Sequence, residues 1–358
     1  MTATTAFARL EKVRATLKKD TLDALFLSAS PNISYLTDCS SRDAYLLILQ
    51  KRAFYLTDGR YLEESKKNLP GAFELIAIKS ALFKEVTRLC KKTGPKTVGF
   101  EASHLSYSSY EKLRAALPIR IRLAPTQGIV EDLRQLKSEE ETAKIKKAVL
   151  ITIQALRHIR TVLEPGRSEL EIAAELERFI RCQGARTSAF DVIVASGPNS
   201  CFPHHLTGER IIKNNEPVLI DIGVDYNGYK SDLTRVFFLG RITPLVRKIY
   251  TIVRQAQDRA LRSIRPGVAV RKIDAAARRY ISQKGYGKSF THSLGHGVGL
   301  QVHEAPRISR KEQAKVAPGM VFTLEPAIYL PGAFGIRIED MVIVTKEGVE
   351  KISVSLNQ

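Results

Sequence analysis

Apolar positions along the first third of the chain change period several times. Phe7 to Lys19 carries them at helical spacing, and Leu22-Asp23-Ala24-Leu25-Phe26-Leu27 is a strand candidate running into a turn at Ser30-Pro31-Asn32. Two more strand-like segments follow, Ala44–Leu49 and Ala53–Leu56, and Asp58-Gly59-Arg60-Tyr61 turns into a helix. Pro125-Thr126-Gln127-Gly128 breaks the pattern, after which Glu131 to Leu163 returns to helical spacing. These shifts predict two domains, residues 1–130 and 131–358.

The second part repeats itself. Pro165-Gly166, Ile172, Ala174, Arg178, Ile180 and Gly184 fall on Pro266-Gly267, Ile273, Ala275, Arg279, Ile281 and Gly285 at a constant offset of 101, and Gln154-Ala155 falls on Gln255-Ala256. Each copy reads as a helix, a Pro-Gly break, and a second helix closed by glycine. Apolar strand-like segments carrying carboxylates and histidines follow each. Two similar halves around a shared centre are expected, with a site drawing side chains from both.

Composition narrows the class. With 358 residues, 44% hydrophobic and 26% charged, the chain can bury a sizeable core and is not a disordered polymer. The apolar run Ala44–Leu49 is far short of the ~20 residues a membrane helix needs. The first twenty residues show no apolar signal core. Cys39, Cys90, Cys182 and Cys201 are widely spaced with no Cys-x-x-Cys pair, so neither a structural zinc site nor a disulfide framework is expected, and a reduced, cytoplasmic protein is. The net charge of +19 is uneven. Residues 247–288 hold twelve basic side chains against Asp258 and Asp274. Such runs are usually solvated helix faces. Ile249, Ile252, Val253, Ala256, Ala260, Leu261 and Ile264 recur there at helical spacing and favour that reading over a nucleic-acid surface.

The chemistry lies in carboxylates set into apolar segments. Pro217–Gly223 is an apolar strand interrupted by Asp221; after the turn Asn227-Gly228-Tyr229, a second strand opens at Ser231-Asp232, a hairpin that puts Asp221 and Asp232 side by side. In the second half Met320–Pro326 carries Glu325, and Gly335–Val344, after the turn Pro331-Gly332, carries Glu339. Between them lie His292, Gly295-His296-Gly297 and His303. Four carboxylates are costly to bury together without positive charge, which two divalent cations supply. Carboxylates with one imidazole suit Mn²⁺, Co²⁺ or Zn²⁺, and the oxygen-rich set leans toward Mn²⁺. Taken singly, each residue has a plainer explanation: Asp221 as a hairpin end, Asp232 as a partner of Arg235, Gly-His-Gly as a tight turn, Glu339 as a partner of Arg337, His303 as a core histidine. Their recurrence in matched hairpins within a repeat argues for a joint role.

Asp221, Asp232, Gly295-His296-Gly297, Glu325-Pro326 and Glu339 resemble the five-ligand signature of the pita-bread metallopeptidases. Ser196-Gly197-Pro198-Asn199-Ser200, Pro203-His204, Gly228–Arg235 and Val302-His303-Glu304-Ala305-Pro306-Arg307 are similar to the Xaa-Pro peptidase branch, aminopeptidase P and prolidase. Asn32–Thr37 and Thr57–Tyr61 resemble a creatinase-type N-terminal domain. The resemblance implies an α/β (α+β) architecture, that domain followed by a pseudo-two-fold pita-bread catalytic domain. It implies that Asp221 chelates one metal, that His296 and Glu325 hold the other, and that Asp232 and Glu339 bridge. A hydroxide shared by the metals would attack the bond before a proline in second position. Glu325 would shuttle the proton, and His303 would donate to the oxyanion. His204 and His292 would position substrate and product, Arg337 would orient substrate or site, and Arg307 would pair with a substrate carboxylate. A homodimer is expected.

Two other classes remain in view. Some pita-bread relatives have lost catalysis and bind nucleic acid or protein, and the basic stretch motivates that alternative. Such relatives usually lose ligands, and here all five positions are filled. A creatinase-like hydrolase of small C–N bonds is disfavoured, because that branch works without metal and lacks these carboxylates.

Overall fold

A computed structural model describes residues 3–39 and 43–353. The chain divides into two compact units, Met1–Arg134 and Gln135–Gln358.

The first unit is built on a six-stranded mixed sheet, in the spatial order Glu74–Ala77, Ala53–Thr57, Ala44–Leu49, Ala24–Leu27, Thr97–Glu101, Arg122–Thr126. The central strand Ala24–Leu27 is buried along its whole length, as expected where both faces of a sheet are covered. Ala6, Leu10, Val13 and Leu17 supply the buried stripe of the helix Ala3–Lys19. Ser30-Pro31-Asn32 departs from expectation. It starts the helix Ser30–Thr37 rather than a turn, because proline in the first helical turn gives up an N–H that has no partner there anyway. Pro125-Thr126 likewise belongs to a strand, one at the sheet edge where a missing donor is tolerated. The break falls at Gln127-Gly128, with Gly128 at φ +77.

The helical stretch 131–163 is interrupted: Glu131–Arg134 is a short helix that closes the first unit, and the second unit's helix starts afresh. Glu139–Val162 begins at a capping box in which the Ser138 side chain accepts from Glu141 N and the Glu141 side chain accepts from Ser138 N. The repeat appears as geometry: the helices Glu169–Cys182 and Val270–Gln283 start and end 101 residues apart. Gly166 and Gly267 take φ +97 and +83, and Gly184 and Gly285 take +88 and +87, values that L side chains rarely adopt.

The strands between these helices divide their faces between two apolar cores. Leu219, Val236, Phe322, Leu324 and Val342 face one core, with the helices Pro244–Arg262 and Val270–Gln283. Val218, Ile220, Leu233, Val321 and Met341 face the other, with Glu139–Val162 and Glu169–Cys182. Since side chains alternate along a strand, Asp221 shares the face of Leu219, and Asp232 and Thr234 share that of Val236. First-half carboxylates are thereby aimed toward the core of the second half. A one-residue slip in register would turn them away.

Candidate metal centre and active site

Asp221 sits on the fully buried strand Pro217–Ile222, with Thr234 directly opposite on Leu233–Phe238. Asp232 immediately precedes that second strand, so the two aspartates are diagonal rather than side-by-side neighbours on one face.

The second half differs more from expectation. Gly335–Val344 is two strands, not one. Phe334–Arg337 pairs with Ala327–Leu330, whereas Asp340–Val344 pairs with Val321–Leu324. The chain changes partner at Ile338-Glu339 on one side and at Glu325-Pro326 on the other, where proline cannot continue the ladder. Both glutamates therefore project from crossover points. The buried Gln257 closes these points by donating through Nε2 to Leu324 O at 2.9 Å and Ile338 O at 3.1 Å.

Gly295-His296-Gly297 is a strand segment and not a tight turn. A Cβ on Gly295 would lie 2.0 Å from Thr323 O, and one on Gly297 2.2 Å from Ala305 O, so only glycine lets the neighbouring backbones approach. His296 Nδ1 lies 3.2 Å from Gly297 O, a group that can only accept. The ring proton therefore sits on Nδ1, leaving the Nε2 lone pair 3.6 Å from Asp232 Oδ2 and 3.5 Å from Glu325 Oε1. Burial and the neighbouring His303 hold the ring neutral, with its pKa pulled down to about 4.

All ten residues singled out in the sequence line one cleft of about 1190 Å³. Ligand atoms of Asp232, His296 and Glu339 lie within 4.8 Å of one another. Burial, then repulsion from neighbouring carboxylates, raises the pKa of Asp232 and of Glu339 well above the usual range. Burial pushes Glu325 up to about 8, against the pull of Arg337. Asp221 Oδ1 is buried without a hydrogen-bond partner. Surplus negative charge, an orphaned oxygen and an imidazole lone pair directed inward fit divalent cations.

Arg337 pairs with Asp221 and not with Glu339. Its Nη2 donates to Asp221 Oδ2 at 2.6 Å, Nε to Thr234 Oγ1 at 3.1 Å, and Nη1 to Tyr329 OH at 2.8 Å and Pro203 O at 3.2 Å. Arg235 instead reaches Asp340, so Asp232 is left to the cluster. Tyr329, whose phenol burial pushes up to about 12, lies 3.1 Å from His292 Nε2. The opposite ring nitrogen of His292 lies 2.8 Å from Ser293 O, so it carries the proton and Nε2 accepts from Tyr329. A hydrogen-bonded chain thus runs Asp221–Arg337–Tyr329–His292. The His303 ring lies 4.2 Å from that of His296; the residue is exposed in the cleft, and partial desolvation there lowers its pKa too. Arg307 and His204 are exposed in the cleft.

Sequence reasoning missed Tyr329, Thr234, Gln257 and Arg278. Arg278, one of the twelve basic residues of 247–288, pairs with the fully buried Asp274 and donates to Phe290 O and His292 O. Only its i, i+4 spacing from Asp274 marked it.

Residues 143–346 match Metallopeptidase family M24. The chain belongs to that family. Its residues 9–136 match the Creatinase/Prolidase N-terminal domain, and the architecture is that domain followed by a pita-bread catalytic domain. This M24 chain is 34% identical to the Xaa-Pro dipeptidase of Pyrococcus horikoshii over 96% of either chain. It is similar to the solved structure of an Xaa-Pro dipeptidase from Bacillus anthracis, with TM-score 0.96, 39% identity and 99% of each chain covered. It also resembles an X-Pro aminopeptidase from Thermotoga maritima, with TM-score 0.87, 34% identity, and 94% and 97% covered. No helix among the described residues is long and apolar enough to cross a membrane.

Proposed function

We propose that the chain is a divalent-metal-dependent exopeptidase that cleaves the bond between an N-terminal residue and a following proline. One observation carries the reading: the buried carboxylates of Asp221, Asp232 and Glu339, the half-buried carboxylate of Glu325 and a neutral imidazole converge in one cleft, where Arg337 is the charge partner of Asp221. Asp221, Asp232, His296, Glu325 and Glu339 would hold two ions, Mn²⁺ suiting the oxygen-rich set best ahead of Co²⁺ or Zn²⁺, with Asp232 and Glu339 shared. When bound, the ions supply Lewis-acid polarisation of the scissile carbonyl and an activated water.

The protein's own groups do the rest. Glu325 accepts the water proton on its carboxylate and passes it to the leaving proline nitrogen, a tertiary amide nitrogen that must be protonated to depart. His303 donates to the oxygen on which charge develops. His292, held by Tyr329 and Arg278, and His204 flank the substrate. Arg337 has every nitrogen engaged, so it orients Asp221 and leaves substrate carboxylate to the exposed Arg307. The same reading takes the protein as a cytoplasmic homodimer, in keeping with four free cysteines.

The test is hydrolysis of Xaa-Pro dipeptides, Xaa-Pro-Xaa tripeptides and Xaa-Ala controls by Mn²⁺-reconstituted protein. Cleavage of the proline substrates alone, abolished by chelator and restored by metal, is the expected result. Metal-independent cleavage, or none of any substrate, overturns the reading.

A further inference from the structure

Beside the exposed His204 stands a histidine with a different job. His205 turns away from solvent, and its Nε2 lies 2.8 Å from Oε2 of Glu169. Glu169 is fully buried at the first position of the helix Glu169–Cys182. Its Oε1 accepts from Ser196 N and Ser196 Oγ, both at 2.7 Å, and Asn199 Nδ2 donates to both oxygens. Arg210 extends the network by donating to Ser196 Oγ while pairing with Glu216. A buried carboxylate is expensive unless several donors meet it, and here they do; the helix N-terminus adds favourable dipole.

The segment fastened in this way carries active-site groups. Exposure alternates along 202–207, with Phe202, His204 and Leu206 outward and Pro203, His205 and Thr207 turned in. Each inward residue is tied down. Pro203 O accepts from Arg337, His205 meets Glu169, and Thr207 Oγ1 donates to Val192 O and accepts from Val194 N. Of these three ties only the central one is a carboxylate–imidazole contact, and it is adjacent to His204.

We propose that Glu169 is a positioning residue of the active site. Through His205 it fixes the side of the segment on which His204 stands and the place of the Pro203 carbonyl against Arg337, and so the approach of the peptide to the metal centre. The proposal rests on the Xaa-Pro peptidase reading for its kinetic consequence but not for its structural one. Glu169→Gln keeps the size and one acceptor while presenting an amide N–H₂ to His205. His205→Leu removes the donor from the other side, and His205→Gln restores a donor.

The experiment compares Mn²⁺-loaded wild type with these variants in metal content, hydrogen exchange of amides 199–208, and kcat and KM on an Xaa-Pro peptide. Expected are unchanged metal content, faster exchange confined to 199–208, and kcat/KM lower by roughly 10- to 100-fold, the scale of a misplaced substrate. Glu169→Gln/His205→Leu should be no worse than either single change, and His205→Gln should recover part of the loss. Wild-type exchange together with kcat/KM within twofold of wild type overturns the proposal, as does a double variant whose losses multiply. Should Glu169→Gln not fold, His205→Leu and His205→Gln decide the matter. If the wild type cleaves no Xaa-Pro peptide, the functional reading fails, and the exchange measurement still decides the clamp.

Discussion

Arg337 Nη2 lies 2.6 Å from Asp221 Oδ2, joining a strand of the second half of the repeat to a strand of the first. Both side chains are buried, and the remaining guanidinium nitrogens are used on Thr234, Tyr329 and Pro203. Lysine cannot reproduce this planar fork. Arg337→Lys is expected to lower the stability of the metal-free protein by up to about 3–5 kcal/mol, the scale of a broken buried pair, and to lower kcat/KM at least tenfold. Chemical denaturation and steady-state kinetics read the two effects, and a variant with wild-type stability would show that the contact is dispensable.

Elemental analysis after Mn²⁺ reconstitution should approach two ions per chain. Asp232→Ala and Glu339→Ala should each lose both, because each removes a shared oxygen donor. Full occupancy in either variant would sink the sharing. Chelation should lower the melting temperature, since ions held only by the native state stabilise it by mass action.

His303→Ala should leave ion content intact and reduce kcat by roughly 10²-fold or more, the scale for one oxyanion donor. A change confined to KM would reassign His303 to substrate binding.

The metal-free protein should lose stability as pH rises. Burial raises the pKa of Glu325 from 4.5 to about 8 and raises Asp232 and Glu339 in the same direction. An acid whose native pKa exceeds its unfolded value binds extra proton in the native state between the two values. Its contribution is complete below about 4.5 and is lost as pH passes through about 8. Thermal melts of chelator-treated protein should fall from pH 5 to pH 8, and added Mn²⁺ should give its largest gain at the upper end. A melting temperature of the metal-free form that climbs over this range would contradict the assignment.

The basic helices should bind RNA or DNA only weakly, with binding lost near physiological salt. Ile249, Ile252, Val253, Ala256 and Ala260 are buried, so one face of Pro244–Arg262 is committed to packing, and Arg247, Arg254, Arg259 and Arg262 are its exposed side. Reversing Arg254, Arg259, Arg262 and Arg271 to glutamate should leave peptide hydrolysis within about twofold, as for surface changes away from a site. A tight, salt-resistant complex would make nucleic-acid binding an equal claim.

What the sequence made legible was whatever repeats or is periodic. The 101-residue offset forecast the matched helices and their positive-φ glycines, because helix breaks are local chemistry. The carboxylate positions were visible as polar interruptions of apolar runs. Invisible were the crossover points at Glu325-Pro326 and Ile338-Glu339, since a strand that changes sheets keeps the same alternation on either side. Gln257, Tyr329 and Thr234 were invisible for another reason. Each acts across more than sixty residues or through a hydroxyl on an otherwise ordinary strand, and nothing local distinguishes it. Ser30-Pro31 was misread because proline opens turns and helices alike.

The division of Asp221 and Asp232 from His296, Glu325 and Glu339 across the repeat has a consequence for assembly. Neither half owns a complete set of donors. Ion affinity is then a gauge of how well the halves are joined, and any change that loosens the seam, such as Leu219→Ala beneath Asp221, should release metal without touching a donor. The ions would serve as rivets as well as reagents: chains nicked between Phe238 and Pro244, at the link between the halves, stay joined by the two shared apolar cores and should melt at a lower temperature when stripped of metal than when loaded.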